Sequence, residues 1–249
     1  MQIIVDQLLV QYELSGKGKL IVLLHGWGDS SRTFNSMQTA LVKNYEVLAI
    51  NLPGFGGSQQ PPTAWGLSDY SGFIRSLLLK LDKQAYAIIG HSNGGAIAIH
   101  GLASAELQAK RLVLLASAGI RGEAKARNRA LLVVVKGGKL LSMPLPARLK
   151  RNLRATSYKM VGSDMLVVEE LQESFKKIVA EDVRLEAKKI HIPTLIIYGD
   201  QDKATPPRFG KLFNAAITSS SLYVFAGGGH FIHHEKPDDV ERLIKEFLV

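Results

Sequence analysis

Residues 85–98 read Ala85-Tyr86-Ala87-Ile88-Ile89-Gly90-His91-Ser92-Asn93-Gly94-Gly95-Ala96-Ile97-Ala98. The first five are a short apolar run without polar alternation, the pattern of a strand buried on both faces. The small residues after Gly94 suit the start of a tightly packed helix. Between the two lies Gly-x-Ser-x-Gly, which in a strand–turn–helix setting forces the serine onto a sharp, strained turn at the top of a parallel sheet. The flanking glycines are needed because side chains there would collide with the neighbouring strand and helix. A plainer alternative is that Ser92 only caps the helix that follows, since serine is a favoured N-cap residue.

Outward from this stretch, short apolar runs alternate with helix-period segments, the signature of a mostly parallel sheet covered on both faces. The patterning predicts eight strands, at residues 3–5, 8–14, 20–25, 46–50, 85–89, 111–116, 194–198 and 222–225. It predicts helices at 32–43, 67–81, 94–105, 207–216 and 237–248. Between about 120 and 189 no strand-like run occurs, only helix-period stretches broken by Gly137-Gly138 and Met143-Pro144-Leu145-Pro146. This segment reads as a helical cap inserted after the sixth strand, with 1–119 and 190–249 forming the core domain. Open α/β sheets bind ligands at the carboxyl ends of their strands, so such a cap would roof the site.

With 249 residues, 46% of them hydrophobic and 21% charged, the chain is long enough for one large domain with an insertion and is neither disordered nor fibrous in composition. The absence of cysteine removes disulfides and thiolate chemistry, as suits a reducing compartment. No signal-like N-terminal run and no apolar segment of spanning length is present, so the expectation is a cytoplasmic protein without a membrane span. The net charge of +9 is concentrated in residues 121–160, where Glu123 is the only acid among eleven lysines and arginines. Tyr158 is the only aromatic there, so the stacking platforms of single-strand binders are missing and no nucleic-acid partner is expected.

A serine hydroxyl is a poor nucleophile until a base takes its proton, and the base must be held by an acid. The turn resembles the nucleophile turn of the α/β-hydrolase fold, for which the implied chain order is serine, acid, histidine. The seventh predicted strand ends in Gly199-Asp200-Gln201-Asp202, and the eighth in Gly227-Gly228-Gly229-His230. Asp202 is the expected acid, with Asp200 as the alternative. Of the seven histidines, His25, His91, His100 and His191 precede Asp202, and His91 should project away from the Ser92 hydroxyl. His233 and His234 begin the segment leading into the last helix, whereas the triple glycine lets His230 approach the sheet closely. The expected triad is therefore Ser92, Asp202 and His230. The block His25-Gly26-Trp27-Gly28 at the end of the third strand supplies one expected oxyanion donor, the backbone N–H of Trp27, and the backbone N–H of Asn93 is the other.

These blocks, in this order, resemble the α/β-hydrolase superfamily along essentially the whole chain, as do Leu52-Pro53-Gly54-Phe55-Gly56-Gly57-Ser58 and Gly229-His230-Phe231 before Glu235-Lys236-Pro237. The resemblance implies an α/β-hydrolase fold, acyl transfer from Ser92 to water, and no metal or organic cofactor. A serine at the elbow excludes the superfamily members that use aspartate there. One departure is Asn51, where many members carry aspartate; a local structural consequence is expected. The implied substrate is a small-molecule ester of a short to medium acyl chain. His25, Leu131, Leu140 and Met143 are candidates for the pocket. The blocks His25-Gly26-Trp27-Gly28 and Leu52-Pro53-Gly54-Phe55-Gly56 also resemble esterases of pimeloyl-carrier-protein methyl esters, whose acidic carrier would suit the basic cap. Lactone or carbon–carbon bond hydrolysis would use the same triad, and a receptor that binds without turnover would keep the same fold.

Overall fold

In the computed structural model, which describes residues 1–121 and 171–249, eight strands form one sheet in the order β1-β2-β4-β3-β5-β6-β7-β8. These are β1 (Gln2–Val5), β2 (Leu8–Gly16), β3 (Leu20–Leu24), β4 (Glu46–Ile50), β5 (Ala85–His91), β6 (Arg111–Leu115), β7 (Thr194–Gly199) and β8 (Ser220–Phe225). The first two pairings are antiparallel. From β4 to β8 every pairing is parallel, so these strands end at one edge.

The buried strands sort their side chains by the two-residue period of a pleated sheet. Leu20, Val22 and Leu24 of β3 face one core layer and Ile21 and Leu23 the other; Leu112 and Leu114 of β6 are separated from Val113 and Leu115 in the same way. The first layer is closed by α2 (Leu67–Lys80) and α3 (Asn93–Ala103), with α4 (Gln172–Ala180), α5 (Arg184–Ala187) and α6 (Pro207–Ala216) beside them. The second is closed by α1 (Asn35–Leu41) and the last helix α8 (Pro237–Leu248), which follows the short α7 (Ile232–Glu235). Full burial of each such aliphatic side chain contributes roughly 1.5–3 kcal/mol.

The predicted strands are all present, with ends displaced by one or two residues. Two helical expectations differ in detail. The segment expected as one helix over 32–43 is a 3-10 turn, Ser31–Phe34, followed by α1, and α7 precedes α8 as a separate turn. Much of the expected cap lies outside the described residues, including Leu131, Leu140 and Met143. Its two described flanks meet: the Val183 N–H donates to the Gly119 carbonyl at 2.8 Å, and the Arg121 N–H donates to Asp182 at 3.0 Å. The chain thus leaves the sheet and returns to it at one place.

Candidate active site

Strand β5 lies near the middle of the sheet and delivers Ser92 to its carboxyl edge. Ser92 has φ 51° and ψ −115°, a conformation that costs a non-glycine residue about 1–3 kcal/mol and persists only where its surroundings enforce it. Those surroundings are explicit. Its N–H donates to the Leu115 carbonyl at 3.0 Å, and its carbonyl accepts from Ala118 at 2.9 Å and Gly95 at 3.1 Å. A side chain at Gly94 would stand 2.1 Å from the Leu24 carbonyl oxygen, and one at Gly90 2.6 Å from the backbone of Gly94. Ser92 occupies the N-cap position of α3, yet its hydroxyl makes no capping hydrogen bond. The capping alternative therefore does not account for the residue.

The loops after β7 and β8 bring the expected acid and base together. Asp202 Oδ2 accepts from His230 Nδ1 at 2.8 Å. Asp202 Oδ1 accepts from the N–H groups of Ala204 at 2.8 Å and Thr205 at 2.9 Å. Burial alone would raise the Asp202 pKa, but hydrogen bonds from His230 and Thr205 and the charge of the imidazole outweigh it and hold the carboxyl below its ordinary value. Asp200 is engaged elsewhere: its Oδ1 accepts from the Gly227 N–H at 2.8 Å. The loops touch backbone to backbone, since a Cβ at Gly199 would stand 2.1 Å from the Gly228 carbonyl oxygen. With Nδ1–H given to Asp202, His230 Nε2 is left bare to receive a proton. Hydrogen bonds among the described residues tie His230 to Asp202 and Thr205 but not to Ser92.

The other histidines serve different neighbours. His91 turns away to the loop after β8, where Nε2–H donates to the His230 carbonyl at 3.0 Å and the ring packs 4.9 Å from the His230 ring. Burial pushes its pKa down to about 3. His233 is buried beside it, 4.6 Å between rings, and burial followed by the neighbouring imidazoles drives its pKa down. Thr33 Oγ1 contacts Nε2 of both His233 and His234. His100 pairs with Glu186 at 3.1 Å, and His191 is exposed.

His25, a candidate for the pocket, is instead fully buried, so its ring offers no surface to a substrate. Its Nδ1–H donates to the Gly26 carbonyl at 2.7 Å, and its Nε2 accepts from the Leu52 N–H at 3.0 Å. Burial holds it neutral, with a pKa lowered to about 4 against the opposing Gly26 hydrogen bond. The loop so fixed carries Trp27, whose ring packs on Phe55 at 4.9 Å and on Phe175 at 5.2 Å. No hydrogen bond among the described residues uses the Trp27 N–H. Asn93 opens α3, where the first N–H groups have no intrahelical acceptor. Asn51 has the consequence expected of it: its Oδ1 accepts from Ser31 N–H at 2.6 Å, while its Nδ2 donates to the Gly56 carbonyl at 2.8 Å. A carboxylate could not make the second bond.

An open cleft of about 450 Å³ adjoins the Trp27 loop, with Asp29, Arg32, Thr33, Phe231 and His234 on its walls. Sequence reasoning missed Thr205, whose buried hydroxyl contacts both Asp202 and His230. Its one visible signal was its place three residues after Asp202, next to Pro206 and Pro207.

A family model described as "alpha/beta hydrolase fold" matches residues 19–237. An uncharacterized protein of Mycobacterium tuberculosis, Rv2715, is 26% identical over 95% of this chain and 77% of its own. A pimeloyl-[acyl-carrier protein] methyl ester esterase of Neisseria meningitidis is 25% identical over 87% of this chain and 89% of its own. Among solved structures, an enol-lactonase from Burkholderia xenovorans LB400 superposes with a TM-score of 0.78 at 23% identity, covering 100% of this chain and 99% of that one.

Proposed function

Because the chain belongs to the α/β-hydrolase family, we propose that it is a serine hydrolase that cleaves carboxylic esters of short to medium acyl chains through an acyl-enzyme intermediate. The observation that carries this reading is the hydrogen-bonded Asp202–His230 pair at the same sheet edge as Ser92, whose strained turn leaves its hydroxyl without a capping role. In this reading Ser92 Oγ attacks the ester carbonyl while His230 Nε2 takes its proton. The same proton then goes to the departing alcohol, and a water attacks the acyl-enzyme by the same route. Asp202 fixes the tautomer of His230 and stabilises the imidazolium. This reading requires a Ser92–His230 hydrogen bond to form in the substrate complex, as catalytic hydrogen bonds that are long in the free enzyme commonly do. The N–H groups of Trp27 and Asn93 receive the developing oxyanion, aided by the N-terminal end of α3. His25 orients the Trp27 loop from behind. The cap expected within 120–189 would complete the acyl side in this reading, and its candidate residues Leu131, Leu140 and Met143 lie outside the described residues.

A second reading, a carrier-protein-linked ester as substrate, is favoured by the basic stretch within 121–160 and by the likeness to the Neisseria esterase. An acidic carrier would be drawn to such a concentration of positive charge in a salt-dependent way.

The test is hydrolysis of a chromogenic ester series of rising acyl length by the wild type and Ser92→Ala. Activity should fall by at least about 10³-fold in the variant, and the chain-length optimum should size the acyl pocket. Undiminished activity in Ser92→Ala would remove the proposal, and a folded wild type that cleaves none of the series would shift the reading to the carrier-linked substrate.

A further inference from the structure

Thr205 lies where three loops converge. Its hydroxyl oxygen is 2.7 Å from Asp202 Oδ2, 2.8 Å from the Ala116 carbonyl oxygen and 3.1 Å from His230 Nδ1. The residue is 5% exposed, so water does not compete for these contacts. A threonine hydroxyl has one proton and two lone pairs, whereas two of its three neighbours are acceptors. With Asp202 ionised, the proton goes to the carboxylate, because charge-assisted hydrogen bonds are about twice as strong as neutral ones. A lone pair then faces His230 Nδ1–H, which is shared between Asp202 Oδ2 and Thr205 Oγ1. The third neighbour is held in place at a cost: Ala116 sits at φ 44°, a left-handed conformation an alanine adopts only under constraint.

We propose that Thr205 is a positioning residue that binds acid and base at once, completing the donor set of Asp202 and fixing the plane of the His230 ring through a shared Nδ1–H. Asp202 Oδ1 receives two backbone N–H groups and Oδ2 receives the imidazole and the Thr205 hydroxyl. Removing the hydroxyl leaves one lone pair of a buried carboxylate unmatched and frees the ring to tilt. The inference rests on the assignment of Asp202 and His230 as acid and base.

The experiment compares Thr205→Val, which keeps the shape without the hydroxyl, Thr205→Ser, which keeps the hydroxyl, and Thr205→Ala as a second hydroxyl-free protein should valine not fold. Two readouts are taken: kcat and KM on the best chromogenic ester, and the NMR resonance of the His230 Nδ1 proton in ¹⁵N-histidine-labelled protein. In the valine or alanine variant kcat should fall about ten- to a hundredfold with KM within about twofold, and the Nδ1 proton should move upfield or exchange away. Serine should restore both. Wild-type kcat with an unmoved resonance in the hydroxyl-free variants would overturn the proposal, as would a serine variant as impaired as valine. The resonance needs no substrate, so it decides the role of Thr205 even if Ser92→Ala retains activity and the hydrolase reading falls.

Discussion

Asp200 and Asp202 are two residues apart in one turn, yet the fold gives them unrelated partners. Asp202 holds His230, while Asp200 ties the loop after β7 to Gly227 in the loop after β8. Asp202→Asn should therefore lower kcat about 10³- to 10⁴-fold by disturbing the tautomer of the histidine, whereas Asp200→Asn should stay within about tenfold; steady-state kinetics on one ester decides it, and the reverse order would reassign the acid. The depressed pKa of Asp202 fixes a sign as well. Its charge contributes stability that is present above the unfolded carboxylate value and is lost as pH falls through the lower folded value. The strained turn at Ser92 and the meeting of Asp202 with His230 were legible in the sequence because each residue follows a recognisable strand and a turn. Thr205 was not, since a polar residue on a loop has no period and its role exists only once three loops meet. The backbone partners of His25 were hidden for the same reason: Leu52 is brought to it by the pairing of β3 with β4.

At the scale of elements, the glycines around Ser92 set how closely α3 approaches the sheet. Gly94→Ala would drive a methyl group to 2.1 Å from the Leu24 carbonyl oxygen. The expected result is destabilisation by about 3 kcal/mol or more in urea unfolding, with activity lost in proportion. Gly72, inside α2, is the control: a Cβ there meets nothing within 4 Å, and Gly72→Ala should stabilise by about 0.5–1 kcal/mol through the helix preference of alanine. Equal effects at the two positions would show that the close approach does not matter. The strands were legible because both faces of β3, β5, β6 and β7 are buried, so their apolar runs are dense. The ends of β8 and the break between the 3-10 turn and α1 were not, because they depend on the last one or two hydrogen bonds of each element.

For the whole molecule, buried neutral histidines govern the response to acid. His25 and His91 have pKa values lowered to about 4 and about 3, and that of His233 is lowered too. In the unfolded chain each takes up a proton near the ordinary value of about 6.5, so below that pH the unfolded state binds more protons than the folded one. Stability should be flat near neutrality and fall by about 1.4 kcal/mol per pH unit for each such histidine as pH drops from about 6 toward 4. Urea midpoints at pH 7.5, 6 and 5 measure this, and constancy over that span would mean that these side chains are hydrated. The backbone contact of Gly199 with Gly228 has a consequence for inheritance. The loops that carry Asp202 and His230 are shaped against each other, backbone against backbone where these two glycines meet. Recombination between diverged relatives that breaks the chain between these two glycines would splice halves of two different fittings, whereas exchange outside them carries the pair intact. The two loops should descend together as one heritable block.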